Sequence, residues 1–124
     1  MLSLLDAIRP TTIVRSAKLN DHLGLDVTIA SETFQHTGSF KFRAAYNLAL
    51  NVEHDEILTA SSGNFGQALA YACKLVGKKC TVVMPETSAQ VKIDAVRSYG
   101  ATVDLVDTNK IGRNERVAQL ATEM

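Results

Sequence analysis

Lys41 is the residue whose type and position most directly suggest chemistry. It lies in the segment Thr37–Arg43, and apolar residues recur after it at the helical spacing of three and four. This spacing predicts a helix with Lys41 in its first turn and Ser39 as its capping residue. The helix dipole repels a cation at that end and favours an uncharged amine. An uncharged amine is a nucleophile that can form a Schiff base with a carbonyl compound.

A second group of residues suited to chemistry begins twenty residues after Lys41. It follows the apolar segment Ile57–Ala60, which predicts a strand, and it precedes a helix predicted from Phe65 to Val76. Hydroxyl and backbone N–H groups at the start of a helix bind anions such as carboxylates. We therefore expect an anion-binding loop here, and the alternative is ordinary helix capping. The loop residues are Ser61, Ser62, Gly63 and Asn64.

Strands and helices alternate along most of the chain, which predicts an α/β fold with a parallel, helix-flanked sheet. The expected strands of this sheet are Ile57–Ala60, Cys80–Met84 and Thr102–Val106. The expected helices run from Gly38 to about Leu50, from Phe65 to Val76, from a capping Ser88 to Gly100, and onward from about Val117. The first thirty residues predict two short strands, Thr12–Val14 and Val27–Ala30, with a turn at Asn20–Gly24 between them. Lys110 and Arg113 are expected in a solvated turn.

The composition restricts the classes of function. A chain of 124 residues with 46% hydrophobic residues is one domain or part of one. Thirteen basic residues balance thirteen acidic ones, so we expect no general binding to nucleic acid or to an anionic membrane. Neither a signal peptide nor a membrane span is visible, and a cytoplasmic location is expected. Cys73 and Cys80 have no metal-ligand spacing, so we expect buried free thiols and no metal site.

The segments Glu32–Ala45 and Thr59–Ala68 together resemble the signature segments of the serine/threonine dehydratase family. These are pyridoxal-phosphate enzymes of fold type II, and the family includes serine racemase. The likeness continues through Pro85 and Tyr99–Ala101, so it covers nearly the whole chain.

The resemblance implies pyridoxal 5'-phosphate as the cofactor and gives roles to particular residues. Lys41 would hold the cofactor aldehyde as a Schiff base and then remove the substrate α-proton. Phe40 would pack near the cofactor, and Asn64 would hydrogen-bond its ring hydroxyl. The loop of Ser61, Ser62, Gly63 and Asn64 would bind the substrate carboxylate. In relatives with racemase activity, the residue that matches Ser62 acts as a second base.

The implied reaction is the dehydration and deamination of a β-hydroxy amino acid, serine or threonine, to a 2-oxo acid and ammonia. Phe65 stands where dehydratases often have histidine, so a racemase or a β-replacement synthase of the same fold is an alternative. The resemblance places residues 1–50, with the lysine helix, in the large cofactor domain. It places residues 51–124 in a small α/β domain that is truncated at its C-terminal end.

The glycine-rich loop that holds the cofactor phosphate in this family has no counterpart here. We therefore expect an N-terminal fragment, inactive alone, that works in a homo-oligomer or needs the missing C-terminal half. The expected partner is a small amino acid substrate. An alternative of another class is a non-catalytic amino-acid-binding module or a decayed fragment. A nucleotide-binding Rossmann fold is disfavoured, because Ser61–Gly66 lacks the Gly-x-Gly-x-x-Gly spacing.

Overall fold

The chain forms a small antiparallel ribbon followed by a parallel three-stranded sheet with packed helices. The computed structural model describes all of residues 1–124. The strands are β1 (Thr12–Arg15), β2 (Thr28–Ser31), β3 (Glu56–Ala60), β4 (Lys79–Pro85) and β5 (Thr102–Val106). The helices are α1 (Leu4–Ala7), α2 (Ala17–Leu23), α3 (Lys41–Asn51), α4 (Asn64–Val76), α5 (Gln90–Ser98) and α6 (Arg113–Glu123). A short 3-10 turn, His36–Gly38, precedes α3.

The parallel sheet confirms the α/β architecture that the alternation of strands and helices predicts. Its strand order is β3-β4-β5, and both pairings are parallel. The central strand β4 contributes Val82, Val83 and Met84, each at most 1% exposed. A continuous apolar run of this kind suits a strand that is covered on both faces.

The first thirty residues differ from the expectation in one respect. β1 and β2 do pair as an antiparallel ribbon, but the connection between them is the helix α2 and not a turn at Asn20–Gly24. Ser16 caps this helix by accepting a hydrogen bond from the Leu19 N–H, and Gly24 ends it in the left-handed conformation at φ 65°. The Asn20 side chain accepts a hydrogen bond from the Val27 N–H at 3.0 Å. Asn20 therefore lies in the helix and anchors the chain that leaves it.

One hydrophobic core joins α3, α4 and the sheet. Phe42 and Tyr46 of α3 are almost fully buried, α3 packs on α4, and both helices contribute several alanines to the core. The alanines of the core in these two helices are Ala45, Ala49, Ala68, Ala70 and Ala72. The core includes residues on both sides of residue 50, and a domain boundary at that position stays a prediction. Cys73 and Cys80 are free and buried, which confirms the interpretation of the two thiols.

The last two helices begin at positions other than those expected. α5 begins at Gln90 without a side-chain cap, and the Ser88 hydroxyl is buried without a partner, so the predicted cap is wrong. α6 begins at Arg113, before Val117, and packs against β3 and β4. None of the helices has both the length and the apolar character that crossing a membrane requires.

A two-point ion pair attaches the start of α3 to the chain that precedes it. The Arg43 guanidinium donates to both carboxylate oxygens of Glu32, with Nε–Oε2 at 2.8 Å and Nη2–Oε1 at 3.0 Å. Arg43 Nη2 also donates to Thr11 Oγ1 at 2.8 Å, and the Thr11 hydroxyl donates to Glu32. These hydrogen bonds, from Arg43 first and from Thr11 second, lower the pKa of Glu32 from 4.5 to about 2. The cluster fixes α3 relative to the segments that bracket the ribbon.

Gly66 marks the closest approach between α4 and the sheet. A Cβ atom at this position would lie 3.1 Å from Val82 Cγ1 and 3.2 Å from Ser61 Cβ. Both distances are shorter than ordinary van der Waals contact between carbon atoms. Glycine therefore allows the first turn of α4 to lie directly against β4 and against the end of β3.

We predict that Glu32→Gln lowers the melting temperature at neutral pH and removes one source of its pH dependence. The folded-state pKa lies below the ordinary value, so the stabilisation is complete above about pH 4.5 and is lost as the pH falls toward 2. Thermal unfolding followed by circular dichroism between pH 2 and pH 7 tests this. The difference between parent and variant should shrink in acid, whereas Glu53→Gln, an exposed control, should show little difference at any pH. A constant difference would contradict the assignment.

We predict that Gly66→Ala destabilises the fold by about 1–3 kcal/mol, because overpacking outweighs the better helix propensity of alanine. Gly112→Ser is the matched control, since its Cβ would meet nothing closer than 4.0 Å, its φ is −70°, and serine suits the N-cap position of α6 that Gly112 occupies. Chemical denaturation should show a change within about 0.5 kcal/mol for that control. A stabilised Gly66→Ala variant would show that α4 does not lie as close to β4 as described.

Candidate active site

Lys41 is the first residue of α3, as the spacing predicts. Its backbone N–H donates to Ser39 Oγ at 3.3 Å, so Ser39 satisfies the start of the helix although Phe40 occupies the formal cap position. Lys41 Nζ has no hydrogen bond and no ion pair, and it lies 4.9 Å from the centre of the Phe40 ring. Phe40 is 61% exposed, so it is not a core residue of this chain. Both side chains are accessible to a ligand.

The loop before Lys41 is held by Gln35, whose side chain is buried. Gln35 accepts from the Arg9 and His36 N–H groups and donates to the Arg9 carbonyl at 2.8 Å. This network supports a strained backbone, because Thr37 has φ 60° without being glycine. Gly38, at φ 72°, completes the left-handed pair, and the Thr37 hydroxyl is buried without a partner. The chain therefore enters α3 in one fixed conformation.

The second segment forms a loop between β3 and α4 in which some backbone N–H groups have an acceptor and others have none. Ser61 Oγ accepts hydrogen bonds from the N–H groups of Gly66 at 2.9 Å and Gly63 at 3.4 Å. The N–H groups of Ser62, Asn64 and Phe65 have no acceptor in the protein. Free N–H donors at the start of a helix can bind an anion, and the helix here has 13 residues, so the loop has the donors that the predicted anion-binding site requires.

The two serine hydroxyls of this loop retain donating capacity. A hydroxyl offers one donor and two acceptor positions, and Ser61 Oγ uses both acceptor positions on backbone N–H groups. Its hydrogen is therefore available to a ligand. Asn64 has an exposed side chain without a hydrogen-bond partner, so its amide is also available. The geometry agrees with the carboxylate loop that the sequence predicts, while the individual roles stay predictions.

Arg113 is a residue of this site that the sequence interpretation missed. It was expected in a solvated turn, but it begins α6 and its Nη1 donates to Ser62 Oγ at 3.4 Å. It has no carboxylate partner within the chain. Its position after β5 was the available signal, because the loops that follow parallel strands gather at one edge of the sheet.

Lys41 begins α3 and the loop Ser61–Asn64 leads into α4, and these two helices pack against each other. The Phe42 ring, next to Lys41 in sequence, lies 5.6 Å from the Tyr71 ring of α4, and His36 lies 5.4 Å from the same ring. Burial lowers the pKa of His36, with a smaller contribution from Arg9. No hydrogen bond or ion pair joins Lys41 to Ser61–Asn64 directly. Lys41 and the loop Ser61–Asn64 are therefore not bonded to each other, and a ligand would have to contact both.

The available groups fit the aldehyde and ring of pyridoxal phosphate. Lys41 offers an unpaired primary amine for the aldehyde, Asn64 offers an unpaired carboxamide for the ring hydroxyl, and Phe40 offers an exposed ring. The seven glycines of the chain are all isolated from one another, so they form no glycine-rich loop for the phosphate. This chain thus has groups suited to the aldehyde and the ring of the cofactor, and it has no glycine-rich loop for the phosphate.

Known proteins that are similar to this chain share one family and one fold. Residues 4–124 match the family described as pyridoxal-phosphate dependent enzyme. Serine racemase of Dictyostelium discoideum is 38% identical over 117 residues, which cover 91% of this chain and 36% of the racemase. A crystal structure of that racemase superposes with a TM-score of 0.89 at 35% identity, covering 97% of this chain and 40% of that chain.

Two further relatives carry other activities in their names. L-threo-3-hydroxyaspartate ammonia-lyase of Saccharomyces cerevisiae is 34% identical over 120 residues, which cover 94% of this chain and 37% of the lyase. The structure of threonine deaminase isoform 2 from Solanum lycopersicum has a TM-score of 0.84 at 32% identity, covering 97% of this chain and 34% of that chain. This chain thus spans little more than a third of the length of the relatives. It belongs to the pyridoxal-phosphate-dependent enzymes of fold type II.

Proposed function

We propose that the protein carrying this chain is an enzyme that uses pyridoxal phosphate to remove the hydroxyl group from a β-hydroxy amino acid. The products are a 2-oxo acid and ammonia, and the proposed substrates are serine or threonine. The observation that carries the proposal is the unpaired Lys41 amine at the start of α3, a helix that packs against α4, which begins at the loop Ser61–Asn64. Such an elimination needs a base for the α-proton and a group that holds the substrate carboxylate, and the two segments would supply one each.

Lys41 has two proposed tasks. Its Nζ would hold the cofactor through the aldehyde carbon until the substrate amino group replaces it there, and the freed amine would then accept the α-proton of the bound amino acid as a general base. When bound, pyridoxal phosphate supplies the electron sink that makes this proton acidic. Phe40 packs beside the amine, and Asn64 donates to the ring hydroxyl. The residues therefore orient the reactants while the cofactor supplies the electronic effect.

The loop Ser61–Asn64 has the proposed task of holding the substrate carboxylate. The free N–H groups of Ser62, Asn64 and Phe65 and the Ser61 hydroxyl hydrogen are the donors that this carboxylate would accept from. Holding the carboxylate fixes the direction of the α-hydrogen, and orientation of this kind supplies a large share of catalysis. Gly63 leaves the space beside the loop open, since a Cβ there would meet nothing within 4 Å.

Racemisation is the second candidate, and the contact between Arg113 and Ser62 favours it. A second base on the opposite face of the substrate must lose a proton, and a guanidinium 3.4 Å from the hydroxyl stabilises the resulting negative charge. Serine racemase of Dictyostelium discoideum, which is 38% identical, supports this candidate.

A β-replacement synthase and a non-catalytic amino-acid-binding module remain the alternatives. Assembly into a homo-oligomer, or with a separately encoded half, stays a prediction.

Arg113 also suggests a substrate with a second carboxylate. It is a cation without an acidic partner beside the proposed carboxylate loop, and Arg recognises carboxylates through two parallel hydrogen bonds. The yeast relative acts on L-threo-3-hydroxyaspartate by its name, and this amino acid carries a β-hydroxyl and a β-carboxylate. We propose 3-hydroxyaspartate as a further substrate of the elimination.

We predict that Lys41→Ala abolishes covalent capture of the cofactor. The complete gene product is mixed with pyridoxal phosphate and reduced with borohydride, and peptide mass spectrometry locates the label. The label is expected on Lys41, with at least about a hundredfold loss of turnover in the variant. Lys92→Ala, at an exposed lysine of α5, is the control and should be labelled like the parent. Undiminished labelling of Lys41→Ala would refute the assignment and favour the non-catalytic alternative.

We predict that Arg113→Gln lowers kcat/KM for 3-hydroxyaspartate at least about tenfold more than for serine, because only the former loses a charged partner. Arg113→Lys should recover part of the difference, since it keeps the charge but not the two-point geometry. Conversion of L-serine to D-serine is followed in the same samples. Equal losses for both amino acids would remove the second-carboxylate proposal, while loss of racemisation alone would assign Arg113 to the Ser62 hydroxyl.

A further inference from the structure

A basic cleft lies at the edge of the sheet opposite the candidate active site. It has a volume of about 310 Å³ and lies where α4 and α5 end and where β4 and β5 begin. Lys74, on its wall, follows Asn64 by ten residues of α4, which corresponds to about 15 Å along the helix axis. The cleft is thus separate from Lys41 and from the carboxylate loop, and the proposed function uses none of its residues.

Three small residues form the floor of the cleft and create its volume. Ala70 of α4, Cys80 of β4 and Ala101 next to β5 are buried and line the cavity. Larger side chains at these positions would fill the space between the two helix ends. Tyr99 forms part of the wall, with its ring 5.1 Å from that of Tyr71 and its hydroxyl without a hydrogen-bond partner in the chain. The cleft therefore combines a flat aromatic surface with a free polar group.

Three cations line the cleft, and no carboxylate does. They are Lys74, Lys78 and Arg97. None of the three takes part in any of the four ion pairs of the chain, although Arg43, Lys110 and Arg116 are paired elsewhere. Lys78 donates to the Val52 carbonyl, while the side chains of Lys74 and Arg97 have no partner. In a chain with equal numbers of basic and acidic residues, this is a local excess of positive charge.

The helix ends reduce this positive charge but do not cancel it. The C-terminus of a helix carries a partial charge of about −0.5, and both α4 and α5 end at the cleft. Three cationic side chains against two helix ends leave a net charge of about +2. Compensation of the helix dipoles therefore accounts for only part of the cluster.

We propose that this cleft binds a small molecule that carries a phosphate monoester. Such a group has a charge of about −1.5 to −2 at neutral pH, which matches the net charge of the cleft. Arg97 and Lys74 supply the unpaired donors for the phosphate oxygens, and the remaining volume beside Tyr99 holds the organic part. The site is distant from Lys41, so its ligand is not the substrate of the proposed reaction.

The test is an NMR titration of the full chain with phenyl phosphate, with phenol as the uncharged control ligand. Saturable shifts of backbone amides are expected around Lys74 and over residues 97–101, and phenol should cause none. Shifts confined to residues 61–65 would place the anion in the carboxylate loop and overturn the proposal. Absence of saturable binding of phenyl phosphate would overturn it as well.

Two double variants separate specific binding from general charge. The combination Lys74→Ala with Arg97→Ala should weaken phenyl phosphate binding at least about tenfold, because both unpaired donors are lost from exposed positions. Arg15→Ala with Lys18→Ala removes the same two charges from an exposed part of the chain and should change the affinity less than about twofold. Equal weakening by both pairs would overturn the proposal. Because Lys41 is unchanged throughout, failure here leaves the proposed function intact.

Discussion

The close packing of α3 on α4 is the constraint on which the rest of the structure depends. Both helices contribute small alanine side chains to the core, which lets their backbones approach, and the rings of Phe42 and Tyr71 lie 5.6 Å apart. Closely packed protein interiors transmit small displacements of one helix to its neighbour instead of absorbing them. The lysine belongs to one helix and the anion loop to the other, so the spacing between the two parts of the site follows directly from this interface.

Polar contacts then set the ends of the two helices. The Glu32–Arg43 pair ties α3 to the preceding segment, and Ser61 ties the first turn of α4 to the end of β3. At the start of each helix, hydrogen bonds within the chain involve the groups that hold the fold together. The groups that could react with or bind a ligand have no partner within the chain. Lys41 Nζ and the N–H groups of Ser62, Asn64 and Phe65 have no partners in the protein, whereas the N–H groups of Gly63 and Gly66 donate to Ser61 Oγ. This difference distinguishes a binding site from an ordinary surface.

The regular part of the fold could be predicted from the sequence because its signals are local. The apolar run in β4 and the period of α4 with Gly77 at its end correspond to elements that the structure contains. α2 could not be predicted, since the residues Asn20–Gly24 are typical of turns and the decisive bond joins Asn20 to Val27 across the loop. Lys41 and Ser61–Asn64 were visible as motifs. Arg113 was not, because its partner Ser62 lies 51 residues away and only the fold brings them together.

The left-handed backbone at Thr37 has a consequence for ligand binding. A residue other than glycine in this conformation costs about 1–3 kcal/mol, and the Gln35 network compensates for that cost when the chain folds. The entry to α3 is therefore ordered before any ligand arrives. A ligand that reaches Lys41 does not have to immobilise a flexible loop, so none of its interaction energy is lost to conformational entropy at this point. Preorganisation of the lysine is thus built into the backbone at Thr37, four residues before its helix begins.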